Sequence, residues 1–369
     1  STLMSSDISR TIVFACGGTA GHVEPALAVA REWRDRHPND RCIFIGTPEG
    51  LENSLVPAAG FELQSIPKVV MPRSFNTNLL RLPWQLLRAV QCARAIISQS
   101  TLVIGFGGYV SAPAYLAARI EKVPIVIHEA NAKIGWANRL GAHFTKYLAI
   151  AHPVDRGKFA NAKKTGLPLR ADVQAAVREA APNWDQAREQ AKHRLGWNLN
   201  QPTLLILGGS QGSVSINAQI AAAMPALTSR GIQILHSVGA KNVLPQSTSS
   251  YRATPYISDM ATAYLGADLI IARSGAVTCA EVGALGRMAI FIPLPIGNGE
   301  QARNADYLVA AGRAIVVSQR EFTADWLSAN LDAILLRSTK TSSQGLTDDL
   351  AAAKKIVELI ESALTGVGI

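Results

Sequence analysis

Cysteine is scarce and scattered. Four residues in 369, Cys16, Cys42, Cys92 and Cys279, form no C-x-x-C pair. Neither a disulfide framework nor a zinc site is indicated, and the four read as small core residues in a reducing compartment. No apolar run approaches the ~20 residues that cross a bilayer. The first residues, Ser1-Thr-Leu-Met-Ser-Ser-Asp7, lack a basic, apolar secretory pattern. Charge is also thin, 17% against 48% hydrophobic residues, and no composition shift marks a disordered region. Such a chain fits buried, mostly parallel strands, and its length suits two domains, each with its own core. The net charge of +9 favours an acidic partner: a phosphorylated substrate, an anionic membrane or a nucleic acid. Scattered basic residues without a recognised binding motif speak against nucleic acid.

What the chain does have is glycine in loops. Thr11-Ile-Val-Phe-Ala-Cys-Gly-Gly-Thr-Ala-Gly-His22 and Thr203-Leu-Leu-Ile-Leu-Gly-Gly-Ser-Gln-Gly212 each join a strand pattern to a helix pattern. Glycine lets bare N–H groups and a helix N-terminus approach an anionic or sugar ligand. One such loop is weak evidence, but two in separate halves predict two similar α/β domains facing each other across a cleft.

Apolar runs at Thr11 to Ala15, Arg41 to Ile45, Thr101 to Gly105 and Val123 to Ile127 alternate with helix patterns such as Glu24 to Trp33 and Ala112 to Ile120. The scheme restarts at Thr203 to Leu207 and continues through Gln233 to Ser237, Leu269 to Ile271 and Ala289 to Pro293. This is the pattern of doubly wound parallel sheets. The joint is expected near Pro168, giving domains 1–168 and 169–347. An amphipathic helix over 348–369 is expected to pack back on the first domain. In such sheets ligands bind beyond the carboxyl ends of the strands, where the motifs fall.

His22 ends the first glycine loop, where an imidazole kept neutral by a helix N-terminus could act as a base. A capping or core histidine is an equal reading on spacing alone. Gly105-Phe-Gly-Gly-Tyr-Val-Ser111 can form a nest for a pyrophosphate or be a plain turn. His128-Glu129-Ala-Asn131 is not H-E-x-x-H, so it gives zinc little support; a structural hydrogen-bond cluster is its plain alternative. In Arg273-Ser-Gly-Ala-Val-Thr-Cys-Ala-Glu281, Ser274 or Thr278 can meet a phosphate and Glu281 can grip ribose hydroxyls. Gly297-Asn-Gly-Glu-Gln301 with Asn304 suits sugar hydroxyls, or is an ordinary polar turn. Lys68, Arg73, Leu79, Arg81, Trp84 and Arg88 mix base with apolar bulk and can lie on an anionic leaflet, though part of that segment must be core.

Taken in order, these motifs resemble the MurG family, peripheral membrane glycosyltransferases that add N-acetylglucosamine to lipid I in peptidoglycan synthesis. The resemblance also covers Pro25-Ala-Leu-Ala-Val-Ala30, Gly107-Gly-Tyr-Val-Ser-Ala-Pro113 and Asp259-Met260, nearly the whole chain. It implies a GT-B fold, two Rossmann-like domains with the UDP-sugar held mainly by the second and the acceptor by the first. Carried onto matching positions, it implies Glu281 at the ribose, the Ile257 backbone at the uracil, and Ser210 and Thr278 at the phosphates. Ala276, Val277, Cys279 and Ala280 would line the donor, and Gln301 would read the sugar. Thr19, Ala20, Gly21, Asn131 and Arg170 would complete the donor site. Gly107, Gly108, Tyr109 and Ser111 would form an acceptor loop. His22 is the first choice of base, with Glu129 as runner-up or orienting partner. Ala20, Glu24 and Glu300 depart from residues common in the family.

The implied reaction is inverting transfer from UDP-N-acetylglucosamine to lipid I, forming lipid II at the cytoplasmic face of the cell membrane, with cell-wall synthesis proteins as candidate partners. No cofactor is required by the motifs, and the need for a divalent cation stays open. A 2-epimerase acting on the same sugar nucleotide, and a non-catalytic nucleotide-binding or scaffold protein, are the rival readings.

Overall fold

The structure, a computed structural model, describes residues 9–69, 78–209, 212–296 and 299–366. The chain divides into two compact units, Ser1–Arg170 with Leu350–Ile369, and Ala171–Asp349.

The first unit carries strands β1 (Thr11–Ala15), β2 (Arg41–Gly46), β3 (Glu62–Ser65), β4 (Leu102–Gly105), β5 (Ile125–Glu129), β6 (Tyr147–Ile150) and β7 (Lys163–Lys164). They pair in parallel in the order 3-2-1-4-5-6-7. Helices α1 (Ala20–Arg36), α2 (Glu52–Ala58), α3 (Asn78–Ile97), α4 (Ser111–Ile120) and α5 (Trp136–Gly141) connect them. In the second unit α6 (Ala171–Ala180) and α7 (Trp184–Arg194) precede a parallel sheet of β8 (Thr203–Leu207), β9 (Gln233–Ser237), β10 (Tyr251–Thr254), β11 (Leu269–Ala272), β12 (Ala289–Phe291) and β13 (Ala314–Val316), ordered 10-9-8-11-12-13. Its helices are α8 (Val214–Ser229), α9 (Met260–Gly266), α10 (Ala276–Leu285), α11 (Asp306–Ala310) and α12 (Ala324–Lys340). The last helix, α13 (Ala352–Gly366), returns to the first unit.

Side chains alternate across a strand, and both faces of the first sheet are covered. Ile12, Phe14, Phe44, Ile104 and Val126 pack against Leu27 and Trp33 of α1 and Ile356, Val357 and Ile360 of α13. Val13, Ala15, Ile45, Val103 and Ile127 face Ala93 and Ile97 of α3 and Tyr115 of α4. Burial on both sides makes these strands read as unbroken apolar runs. Local signals start several helices: Ser213, Asp259 and Thr323 each accept an N–H from the first turn that follows.

Two boundaries differ from the sequence expectation. Strand β5 extends through His128 and Glu129, which pair with Ala149 and Ile150, so these residues end the strand instead of following it. Helix α1 begins at Ala20, ahead of the expected Glu24, because Thr19 is an extended N-cap directly after the glycines; His22 therefore lies in the first turn. Five strands had no signal, β3, β6, β7, β10 and β13. Four of these are sheet edges, and three of the four, β3 (ELQS), β7 (KK) and β10 (YRAT), carry few apolar residues.

Because Ile360 is fully buried in the core that α13 shares with α1, β4 and β5, Ile360→Ala is expected to lower the unfolding free energy by about 2–5 kcal/mol in urea titrations. A loss under about 1 kcal/mol would show that α13 adds little to that core.

Candidate active site

Strand order reverses between β1 and β4, so the loops after them diverge at the carboxyl edge and open the crevice such sheets use for ligands. His22 sits there half-buried, its Nδ1 3.0 Å from Thr19 Oγ1. Gly107 and Gly108 of the β4 loop, at φ +91° and +84°, pass close to the ring. A Cβ on Gly108 would come within 3.2 Å of both His22 Nδ1 and the Gly17 carbonyl, which explains glycine at that place. Burial pushes the His22 pKa down from 6.5 to about 4, so the ring is uncharged at neutral pH. The cause is desolvation, where the sequence had suggested a helix N-terminus. For Nε2 to act as a base, Nδ1 must hold the proton and donate it to Thr19 Oγ1.

The β4 loop is held from inside. Ser111 is fully buried, and its hydroxyl accepts the Gly107 N–H at 3.1 Å while facing the Gly107 and Ala15 carbonyls at 2.9 and 3.1 Å. Ser111 is thus a brace instead of an open acceptor contact, and the expected nest lacks the Gly107 donor. Tyr109 is half-buried.

Glu129 organises its own loop. Its Oε1 accepts from Gly135 N at 2.6 Å and Asn138 Nδ2 at 3.3 Å, and its Oε2 from Asn131 N at 3.2 Å. The side chain that meets His22 Nδ1 is that of Thr19. Asn138, buried in α5, also donates to the His128 carbonyl and accepts from Tyr115 OH at 2.7 Å. The sequence offered no motif for Asn138 or Tyr115. His128, lowered by burial to about 4, donates from Nε2 to the Gly166 carbonyl at 2.9 Å and so fastens β5 to the segment ending at half-buried Arg170.

The second unit repeats the reversal, between β8 and β11. Arg273 joins the loops there: it donates to Ser213 Oγ at 3.1 Å, Gln319 Oε1 at 2.6 Å and the Ile292 and Pro293 carbonyls. Buried Asn304 donates to the Ser274 carbonyl, and Ser274 Oγ donates to the Gln301 carbonyl at 2.9 Å. Ser274 is therefore internal, which leaves Thr278 as the phosphate candidate on that turn. A cavity of about 450 Å³ opens among Gly208, Gly209, Ser213, Gly275, Thr278 and Gln301. The Gln301 side-chain carbonyl accepts from Leu294 N at 2.9 Å. Ile257 and Glu281 are buried and lie outside that wall, as do Ala276, Cys279 and Ala280 in the α10 interior and half-buried Val277. Burial holds the Cys279 thiol well above its ordinary pKa, so it stays protonated. Ser210, Arg73, Gly297 and Asn298, and the Ala20 side chain, lie outside the described residues; Thr19 is exposed, Gly21, Glu24 and Glu300 half-exposed.

On α3, Leu80 (84% exposed), Trp84 (72%) and Leu87 (49%) share one face by their spacing, with exposed Arg81 and Arg88 beside them and Lys68 also exposed. Leu79 is half-buried. Among the described residues no helix is long and apolar enough to cross a membrane, and no three His, Cys, Asp or Glu side chains gather to hold a metal.

Residues 12–150 match the glycosyltransferase family 28 N-terminal domain and residues 203–360 its C-terminal domain. The chain is 43% identical over 345 residues to the UDP-N-acetylglucosamine--N-acetylmuramyl-(pentapeptide) pyrophosphoryl-undecaprenol N-acetylglucosamine transferase of Paenarthrobacter aurescens, covering 90% of each. It is 45% identical over 334 residues to the protein of that name from Corynebacterium glutamicum, covering 90% of this chain and 91% of that one. It is similar to a crystal structure of Acinetobacter baumannii MurG, with TM-score 0.71 and 28% identity over 96% of this chain and 99% of that one. The calicheamicin glycosyltransferase CalG4, 16% identical with TM-score 0.67 over 98% of this chain and 100% of that one, shares the fold.

His22, His128 and His236 are each lowered by burial from 6.5 to about 4. The unfolded chain therefore takes up protons first as pH falls. The stability these neutral rings confer is complete above pH 6.5 and lost progressively towards about 4. Urea midpoints should fall on going from about pH 7 to pH 5, and a flat profile would contradict the buried neutral rings.

Proposed function

The chain belongs to glycosyltransferase family 28 and, within it, to the MurG family, and from that premise we propose the following reaction and site. The enzyme moves N-acetylglucosamine from its UDP donor to the C4 hydroxyl of the muramyl sugar in undecaprenyl-pyrophosphoryl-MurNAc-pentapeptide, lipid I. The product is lipid II, with inversion at the sugar C1. As UDP departs, C1 becomes oxocarbenium-like, negative charge builds on the pyrophosphate, and the acceptor hydroxyl must lose one proton.

His22 takes that proton. The observation that carries this reading is a neutral, half-buried imidazole at the β1/β4 crevice of a chain 43–45% identical to named transferases. A neutral ring is the base form across the neutral range. Thr278, the amino end of α10 and the glycines Gly208, Gly209 and Gly212 receive the pyrophosphate, because preorganised N–H dipoles stabilise charge as it develops. Glu281 holds the ribose, the Ile257 backbone the uracil, and Gln301 the sugar hydroxyls. This scheme needs no cofactor.

The acceptor is lipid-linked, so the enzyme works at a membrane surface. Leu80, Trp84 and Leu87 with Arg81 and Arg88 form the docking face on the cytoplasmic leaflet, the apolar residues entering the headgroup boundary and the arginines meeting anionic lipid.

Transfer of labelled N-acetylglucosamine to a short-chain lipid I analogue tests the chemistry. His22→Ala should lower kcat by about 10²–10⁴-fold. Glu281→Ala should raise the KM for UDP-N-acetylglucosamine by roughly 10- to 100-fold. Near-normal turnover by His22→Ala removes it as base, and formation of UDP-N-acetylmannosamine without acceptor overturns the transferase reading. Separately, Leu80→Ser with Trp84→Ala should weaken sedimentation with anionic vesicles by about tenfold or more, whereas unchanged binding would detach α3 from that role.

A further inference from the structure

Glu52 is a fully buried carboxylate that neither the motifs nor the proposed chemistry uses. It is the first residue of α2, in the turn after β2, and β2 lies beside β1 in the sheet. Its Oε1 accepts from Thr47 N at 2.7 Å and Thr47 Oγ1 at 3.0 Å, both within its own turn. Its Oε2 reaches 34 residues back along the chain and accepts from Gly18 N at 3.2 Å. Burying a carboxylate costs several kcal/mol unless hydrogen bonds compensate, and an apolar side chain would fill the same space without that cost.

The surrounding backbone leaves room for this group. A Cβ on Gly46 would lie 2.8 Å from Oε1 and one on Gly50 would overlap the carboxylate itself, while one on Gly17 would meet Val110 Cγ2 at 2.8 Å as well as Oε1 at 3.0 Å. None of these three glycines has a φ in the left-handed region. Their backbone conformations do not require glycine; room for the Glu52 side chain does at Gly46 and Gly50, and room for Val110 and Glu52 together does at Gly17. Gly18, by contrast, takes φ +90°, and its N–H is the one turned inward to Oε2. The next residue, Thr19, then accepts the His22 and Val23 N–H groups and sets its hydroxyl against His22 Nδ1.

We propose that Glu52 is a positioning residue for the transfer reaction: by taking up the Gly18 N–H it fixes the loop that carries Thr19 and His22. The inference rests on the reading of His22 as the base. It also means that the Gly18 N–H already has an internal acceptor in Glu52 Oε2, so this N–H is not offered to a phosphate of the acceptor.

The test uses the full chain in the steady-state transfer assay with Glu52→Gln, Thr47→Val, His22→Ala and the Glu52→Gln/His22→Ala double variant. Glutamine is isosteric but brings an N–H₂ group where acceptors are needed. Glu52→Gln should lower kcat by about tenfold or more with the KM for UDP-N-acetylglucosamine within about twofold, since misplacing a catalytic group affects turnover most. Thr47→Val removes a support of Glu52 but leaves the Gly18 bond, so it should lower the melting temperature while kcat stays within about twofold. In the His22→Ala background Glu52→Gln should add less than about twofold, because two residues acting through one step are not additive. A normal kcat in Glu52→Gln, an equal kcat loss in Thr47→Val, or multiplying losses in the double variant would overturn the proposal while leaving His22 as base. Near-normal turnover in His22→Ala would instead sink the base reading, and this inference with it. If Glu52→Gln does not fold, hydrogen exchange on the wild type decides: a protected Gly18 amide supports the proposal, and one exchanging like an exposed loop amide refutes it.

Discussion

The constraint on which everything else depends is burial of both faces of two parallel sheets. With helices on each side, neither sheet offers a free face for chemistry, and only the carboxyl edge remains. There the chain can leave in two directions, and it does so between β1 and β4 and again between β8 and β11. His22 and the Gly107–Gly108 turn meet at the first reversal, Ser213 and Arg273 at the second. The glycine loops lie there because that edge is where backbone leaves the hydrogen-bonded ladder.

Those loops are braced by buried polar side chains. Ser111 holds the Gly107 turn, Glu52 the Gly18 N–H, Arg273 links Ser213 to the strand end at Ile292, and Asn304 anchors Ser274. Each brace answers a backbone or hydroxyl group that would be costly to bury unpaired. The same account separates residues that present chemistry from residues that hold it in place. Ser274 and Ser111 belong to the second kind although their motifs suggested the first. Buried Asn138, joining Tyr115, Glu129 and the His128 carbonyl, belongs there too.

The alternation of apolar runs and helical patterns, and hence the doubly wound class, was legible because strand and helix periods are local properties. The apolar runs at Thr11 to Ala15 and Thr203 to Leu207 coincide with β1 and β8. Edge strands such as β3 (ELQS) and β10 (YRAT) carried no such signal, since they are strands through a neighbour's hydrogen bonds and not through their own pattern. Glu52 is silent in the sequence for a related reason. Nothing in Glu52-Asn-Ser-Leu55 distinguishes a buried carboxylate from a solvated first-turn acid.

By itself, then, the sequence determined the fold class, the two glycine loops after their strands, and the ordered motifs that mark the family. Each of these is written in the spacing of near neighbours. Tertiary structure alone decided which loop N–H groups face inward, that the Thr19 hydroxyl meets His22, and which face of α3 is left to solvent. These depend on partners brought together across the sheet, as Gly18 and Glu52 are across 34 positions. A hydrogen bond between distant residues is fixed by packing and leaves no period in the chain to read.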